Sequence, residues 1–426
     1  KMNMDLMLTL GTLVVVIIMF LSGKANFGFI GMCCAAFMCA SGVLTFDEAY
    51  ENFASNNIIM LCGMFVLAGA LNKTSLVNKV RDFIMSRNAS GRTIVFLYLA
   101  GVILLTQLVS PLGVISMMLP LSAALGEDSP VTTSQLLYPG SVVSHASQSL
   151  TPLGAGLTYY VTANALLEAN GAGQYQIGLF DKSISVILPC IVTFVYFWLV
   201  GYKLFSKHEI DSSQIKSTKE RKVCDPKTEK IIYVVFIIAM ICLAFSNYLP
   251  VPMQIIPIIA DLVLAALGCL NSKEAKASIQ FDSVLMMAGL LCLSTAMQKT
   301  GAAEVVADIV VSLLGGNPSP IAVEVAFMLT GAILTQVMSN TATYNVLVPL
   351  SIVTAVARGF DPRGMVLAIS LSTTGAMLTP MSSPSVAIAF GAGRYTLKEV
   401  FLACLPAFII RTVFVFISVN LIYPLW

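Results

Sequence analysis

Ser339, Asn340 and Thr341 stand together inside an apolar stretch, with Thr335 one helical turn before them. Hydroxyl, amide and carbonyl oxygens at that spacing are the donor set that a hard cation such as sodium takes. Further along, Thr379-Pro380-Met381-Ser382 interrupts another apolar stretch. Proline removes a donor and clashes with the turn before it, so carbonyls such as that of Leu378 lose their partner four residues on and become free ligands. A sparser set occurs earlier: Thr106 and Ser110 in one stretch, and Leu150-Thr151-Pro152-Leu153-Gly154 breaking the next. Half-helix N-termini pointing into the same space would hold an anion without any lysine or arginine.

The two sets are copies. TQLVSPLGVISMMLPLS from Thr106 returns as TQVMSNTATYNVLVPLS from Thr335, about 229 residues later, and Leu150-Thr151-Pro152 returns as Leu378-Thr379-Pro380. Glu48-Ala49 recurs as Glu274-Ala275, and Asn72-Lys73-Thr74 as Gln298-Lys299-Thr300. Four markers in the same order at near-constant spacing identify an internal duplication. A duplicated membrane protein with polar breaks at equivalent places is the usual sign of a secondary transporter.

The elements that must position these residues are membrane helices. The chain is 57% hydrophobic and 11% charged, with mean hydropathy +0.86, which leaves too little polar surface for water. Apolar runs long enough to cross the bilayer core fall near 6–22, 27–44, 57–72, 133–168 and 183–205, then near 231–247, 252–270, 282–297, 362–391 and 400–422. Five crossings per half is an odd number, so the second half must be inverted relative to the first. The predicted organisation is residues 1–205 as the first repeat, 206–230 as a hydrophilic linker and 231–426 as the second repeat.

Between the third and fourth crossings of each half, stretches 93–124 and 320–356 are too long for one crossing and carry no charged turn for two. Each reads as a re-entrant hairpin with its tip at Ser110-Pro111 or Ser339-Asn340. Such backbone is tolerated at membrane depth only where protein or a water-filled cavity covers it. The first span reads as a permanent helix, since its partner near residue 231 is internal.

Basic residues favour cytoplasmic loops. With the linker cytoplasmic, that side holds 18 of the 24, and both termini lie outside. The cysteines and methionines read as core filler, with no Cys/His spacing for a metal.

Ionisable residues within the spans are His145, Asp261, Glu324 and Arg411, and such residues carry functional weight by default. His145 lies six residues before Thr151. It is a candidate proton site or substrate ligand, because small shifts change its charge; hydrogen bonding between packed helices is the plainer role. Asp261 and Arg411 are expected to pair with each other or face a polar crevice, and Glu324 to lie near the interface. The absence of paired carboxylates beside the breaks argues against a cation antiporter.

Ser339-Asn340-Thr341, the helix ending in Val348-Pro349-Leu350, Leu378-Thr379-Pro380 and Phe390-Gly391-Ala392-Gly393-Arg394 together resemble the divalent anion:sodium symporter family of the ion transporter superfamily. The resemblance runs over essentially the whole chain. It implies an all-α homodimer in which a transport domain, here roughly 93–168 and 320–391, moves as an elevator. The scaffold would be roughly 1–72, 183–205, 231–297 and 400–426. Amphipathic arms at 76–84 and near 302–314 would support the moving part.

The same resemblance implies a sodium site at Thr335, Ser339, Asn340, Leu378 and Thr379, and a weaker one at Thr106, Ser110 and Leu150. It implies substrate contacts from Ser110, Thr151, Pro152, Gly154, Asn340, Thr341, Thr379, Pro380 and Ser382. Pro111 and Leu112 stand where the family has Asn and Thr, so the first site is depleted. The expectation is a secondary active transporter of a small organic anion such as a carboxylate or dicarboxylate. It would be coupled to sodium, without organic cofactor, enzymatic activity or nucleic-acid partner, in a bacterial inner membrane. The alternative is proton coupling or exchange of another solute or inorganic oxyanion on the same fold.

Overall fold

The computed structural model describes residues 4–424 apart from 23–24, 72, 76–78, 80–90, 108–109, 129, 153, 207–223, 245–249, 280, 314, 317 and 337–338. The described structure is helical. The first half carries α1 (Met4–Ser22), α2 (Phe27–Ala40), α3 (Phe46–Tyr50), α4 (Asn56–Leu71), α5 (Gly91–Thr106), α6 (Pro111–Asp128), α7 (Thr133–Ala146), α8 (Ala155–Ala169) and α9 (Asp181–Leu199). The second half carries α10 (Pro226–Ala244), α11 (Ile256–Ala266), α12 (Ser272–Ser278), α13 (Phe281–Thr300), α14 (Ala302–Leu313), α15 (Pro320–Leu334), α16 (Asn340–Ala357), α17 (Arg363–Thr373), α18 (Pro384–Ala392) and α19 (Leu397–Ile422). Of the first arm, 76–84, only Lys79 is among the described residues, and most of the linker lies outside them; the second arm is α14.

The duplicated Glu and Lys markers have a shared physical reason. Glu48 and Glu274 each close a capping box at the start of a short helix, with Thr45 and Asn271 as the partners. Each also takes a lysine from the opposite half: Lys73 Nζ lies 2.8 Å from Glu274, and Lys299 Nζ lies 2.7 Å from Glu48. Equivalent residues exchanging partners in this way is the pattern that a two-fold relation produces.

Each predicted hairpin is a helix pair, α5–α6 and α15–α16, whose second helix starts at Pro111 or Asn340. Each predicted broken crossing is two helices, α7–α8 and α17–α18, separated by residues 147–154 and 374–383. Every residue of α7, and every residue of α17 after Arg363, is buried. Helices apolar or covered all round sit inside the protein, so the ends of α7 and α17 that lead into the breaks lie within it.

By length and composition, Asp181–Leu199 and Leu397–Ile422 each qualify alone as membrane spans, and Phe46–Met60 with Cys62–Leu71 qualifies as a bent pair. The ten apolar runs counted in the sequence include stretches that the structure divides into shorter helices. Apolar residues face outward along several helices, with Val14, Val15 and Ile18 on α1, Ile237, Ile238 and Ile241 on α10 and Ile409, Val413 and Ile417 on α19 exposed. Helices α2 and α13 cross in backbone contact: a Cβ on Gly289 would stand 2.2 Å from the Gly31 carbonyl oxygen.

The helices of the fifth predicted crossing of each half, α9 and α19, pack against each other and against the hairpins and broken helices. Two bonds fix the α9–α19 pair, Tyr196 Oη to Ala403 O at 2.7 Å and Ser418 Oγ to Ser185 O at 2.6 Å.

Asp261 and Arg411 do not pair. Arg411 turns to the end of α17, while Asp261 Oδ1 on α11 is buried without a hydrogen-bond partner. Glu324 is fully buried, and Asn420 Nδ2 of α19 donates to its carboxylate at 3.1 Å. Linear position along a span does not say which helix a face meets.

Candidate functional site

The second hairpin tip and the second break are joined by Gln336. Its Nε2 donates to Ala332 O at 2.9 Å and to Gly375 O at 3.0 Å, and its Oε1 accepts from Met377 N at 3.2 Å and Leu378 N at 2.9 Å. The Gln336 carbonyl accepts from Thr379 Oγ1. One side chain thus satisfies backbone groups that the break would leave bare.

Gln107 does the same work in the first half. Its Nε2 donates to Ile103 O at 2.9 Å and to Ser147 O at 3.0 Å, and its Oε1 accepts from Thr151 N at 3.2 Å and Thr151 Oγ1 at 3.4 Å. Neither glutamine was singled out from the sequence, although both stand in the duplicated Thr-Gln pair that opens the motif.

Around Gln336 the predicted cation ligands divide into two groups. Thr335 Oγ1 lies 2.7 Å from Asn340 Oδ1 and 2.8 Å from Thr373 O. A hydroxyl has one proton, so three oxygens share it, an oxygen-rich and proton-poor arrangement suited to a hard cation. Leu378 and Thr379 are brought beside this group through Gln336. Ser339 caps α16, accepting from Ala342 N at 3.1 Å, and Thr341 is exposed in the first turn. Pro380 opens a single 3-10 turn over 380–382, and buried Ser382 donates to Thr379 O at 2.7 Å.

The first site lacks this arrangement. Thr106 Oγ1 bonds back to Val102 O at 2.7 Å on its own helix, and Ser110 Oγ accepts from Gly113 N at 3.3 Å as the cap of α6. Gly154 takes φ +47°, which favours glycine, and Ser149 holds φ +74°, a strained value for a side-chain-bearing residue. Leu150, Thr151 and Pro152 are half-buried along this break.

His145 connects the halves. It sits in the last turn of α7, buried, with Nε2 at 2.6 Å from Ser383 Oγ and 2.7 Å from Ser385 Oγ at the start of α18, and Nδ1 at 3.4 Å from Asn340 Nδ2. Two residues on, the Ser147 carbonyl is held by Gln107, so both tips are tied to the C-terminal end of α7. Tyr138, also on α7, donates to Met377 O at 3.1 Å within the second break.

A cation also stands at this break. Arg411 donates from Nη1 to Leu371 O at 2.7 Å and from Nη2 to Thr374 Oγ1 at 3.0 Å, at the C-terminal end of α17. Positive charge there complements the helix dipole.

Comparison with known proteins places this geometry. The model of the citrate transporter family (CitMHS) matches residues 17–371. The uncharacterised transporter YfbS of Escherichia coli K12 is 24% identical over 56% of the chain and 39% of its own length. A sodium-dependent dicarboxylate transporter of Staphylococcus aureus, SdcS, is 20% identical over 84% of the chain and 74% of its own length. The crystal structure of the YdaH transporter of Alcanivorax borkumensis superposes with a TM-score of 0.64 at 13% identity, over 91% of this chain and 87% of that one. The chain spans 33–39% of the length of two of the curated relatives it matches. The resemblance to divalent anion:sodium symporters read from the motifs agrees with the family match and the relative SdcS.

Proposed function

From the premise that the chain belongs to the citrate transporter family, matched over residues 17–371, we propose that it is a secondary active transporter of a small organic anion, coupled to sodium. The observation that carries the coupling ion is the cluster of Thr335, Asn340 and the Thr373 carbonyl, three oxygens within 2.8 Å contacts sharing one hydroxyl proton. The relative SdcS is named as sodium-dependent and dicarboxylate-transporting, which supports the same reading. Sodium seated there would fix Asn340 and the end of α17, and so lower the cost of ordering the tip around a carboxylate. That is coupling in the thermodynamic sense, each ligand raising the other's affinity.

The transport path follows the same reading. The halves form an inverted repeat, supported by the reciprocal Lys73–Glu274 and Lys299–Glu48 pairs and the odd number of crossings per half. The hairpins and broken helices move as an elevator past a scaffold built from 1–72 and 231–297. Because α9 and α19 pack on the hairpins and broken helices, we assign them to the moving part, against the division expected from sequence. The assembly is a homodimer in a bacterial inner membrane, both termini outside, with substrate contacts from Asn340, Thr341, Thr379 and Ser382 and fewer from the Ser110 side.

His145 supports a second reading. Bonded to Asn340, Ser383 and Ser385, it would carry the coupling proton if sodium does not serve.

Proteoliposomes given labelled succinate, citrate, acetate or sulfate in the external medium test both. An inward sodium gradient should drive uptake of at least one carboxylate at least tenfold above choline, with counterflow when the unlabelled anion is trapped inside. Equal uptake in choline, driven instead by a pH gradient, would move the coupling to His145. No gradient-driven uptake and no counterflow would contradict the transporter reading.

A further inference from the structure

We propose that Arg411 sets the charge preference of the site, favouring anions of higher negative charge although it does not touch them. Arg411 lies in the middle of α19 and is 2% exposed. Its bonds go only to neutral groups, Leu371 O and Thr374 Oγ1, and its Nε is buried without a partner. Among the described residues no aspartate or glutamate forms a salt bridge with it. A buried guanidinium without a counter-charge is costly. A neutral amide could bond the same carbonyl and hydroxyl, so capping α17 does not by itself call for a permanent charge.

The position of that charge supplies the reason. Thr374, which receives Arg411, follows Thr373, whose carbonyl meets Thr335 beside Asn340. The guanidinium is thus a short chain of bonds from Asn340, the residue proposed to contact the anion, and a fixed source of positive potential at the second tip. Such a field acts in proportion to the charge of the ligand. Neutralising it weakens a dianion more than a monoanion, whereas a purely structural loss weakens both alike.

This inference rests on the anion-transport reading, and its test separates the two. Affinities for succinate against its monomethyl ester, and for sulfate against nitrate, are measured by ligand-induced thermal stabilisation in sodium for the unaltered protein, Arg411→Gln, Arg411→Lys and Thr374→Val. Arg411→Gln should lower the dianion-to-monoanion affinity ratio about tenfold, for a charge acting across a partly polar interior. Arg411→Lys should restore most of the ratio. Thr374→Val, which keeps the charge and loses a bond, should leave the ratio unchanged even if overall affinity falls. An unchanged ratio in Arg411→Gln, or a collapse reproduced by Thr374→Val, overturns the role of Arg411 while leaving anion binding intact. Failure of the unaltered protein to bind either pair removes the functional reading and this inference with it.

Discussion

Gln336→Leu should be among the most damaging single substitutions in the second half, lowering stability by roughly 3–5 kcal/mol and removing anion binding. Leucine is close in size to glutamine, so the loss is of bonding rather than volume. Gly375 O, Met377 N and Leu378 N all lose their partner in one step. Each buried backbone group left unsatisfied costs about 1–3 kcal/mol, and relaxation of a break already short of bonds recovers only part of that. Gln107→Leu should cost a comparable amount of stability, since Ser147 O and Thr151 N depend on it in the same way. Its effect on binding should be smaller, because the first tip lacks the Thr335–Asn340 arrangement. Thermal unfolding in detergent, with and without ligand, reads both quantities. A Gln336→Leu protein that melts and binds like the unaltered chain would show that the tip is held by something else.

Asn340→Ala should reduce sodium-dependent anion binding at least 100-fold, about 2.7 kcal/mol, while Ser110→Ala should weaken it less than tenfold. Asn340 is where three roles meet: its amide oxygen belongs to the oxygen cluster, its amide nitrogen faces His145 at 3.4 Å, and its backbone begins α16. Alanine keeps the helix and removes the other two. Ser110 only caps α6 through a 3.3 Å bond, and a lost cap costs about 1 kcal/mol. Isothermal titration with the preferred anion in sodium distinguishes the two variants. Equal losses at Asn340 and Ser110 would contradict the asymmetry between the sites.

Much of this was legible in the residues. Both hairpin tips were placed to within a residue, since α6 begins at Pro111 and α16 at Asn340, and both breaks lie where proline interrupts an apolar run. Proline and the polar tip residues act locally, so their effect can be read without knowing the neighbours. What stayed hidden depends on partners distant in sequence. Gln107 and Gln336 bond backbone groups that become available only when the breaks form. The partners of His145 lie 195 to 240 residues away, and a lone histidine in an apolar span does not announce them. Arg411 and Asp261 were expected to pair or to face a polar crevice because both are charged and intramembrane, yet Arg411 bonds a helix end. A free carbonyl terminus attracts a cation as well as a carboxylate does, and it leaves no mark on the composition. That α9 and α19 pack on the hairpins and broken helices was equally invisible, because an apolar helix has the same pattern whichever element it packs against.

The central claim is that an anion and sodium bind together at the second tip. The most direct measurement is the melting temperature of the purified protein with mono-, di- and tricarboxylates, sulfate and phosphate, each in sodium and in choline, for the unaltered chain and for Thr335→Val. A ligand that prefers the folded state raises its stability by an amount that grows with the logarithm of its affinity. Stabilisation of the unaltered chain by a carboxylate only in sodium, and its loss in Thr335→Val, is the expected result. Equal stabilisation in choline, or a Thr335→Val protein that still requires sodium for the same stabilisation, would contradict it.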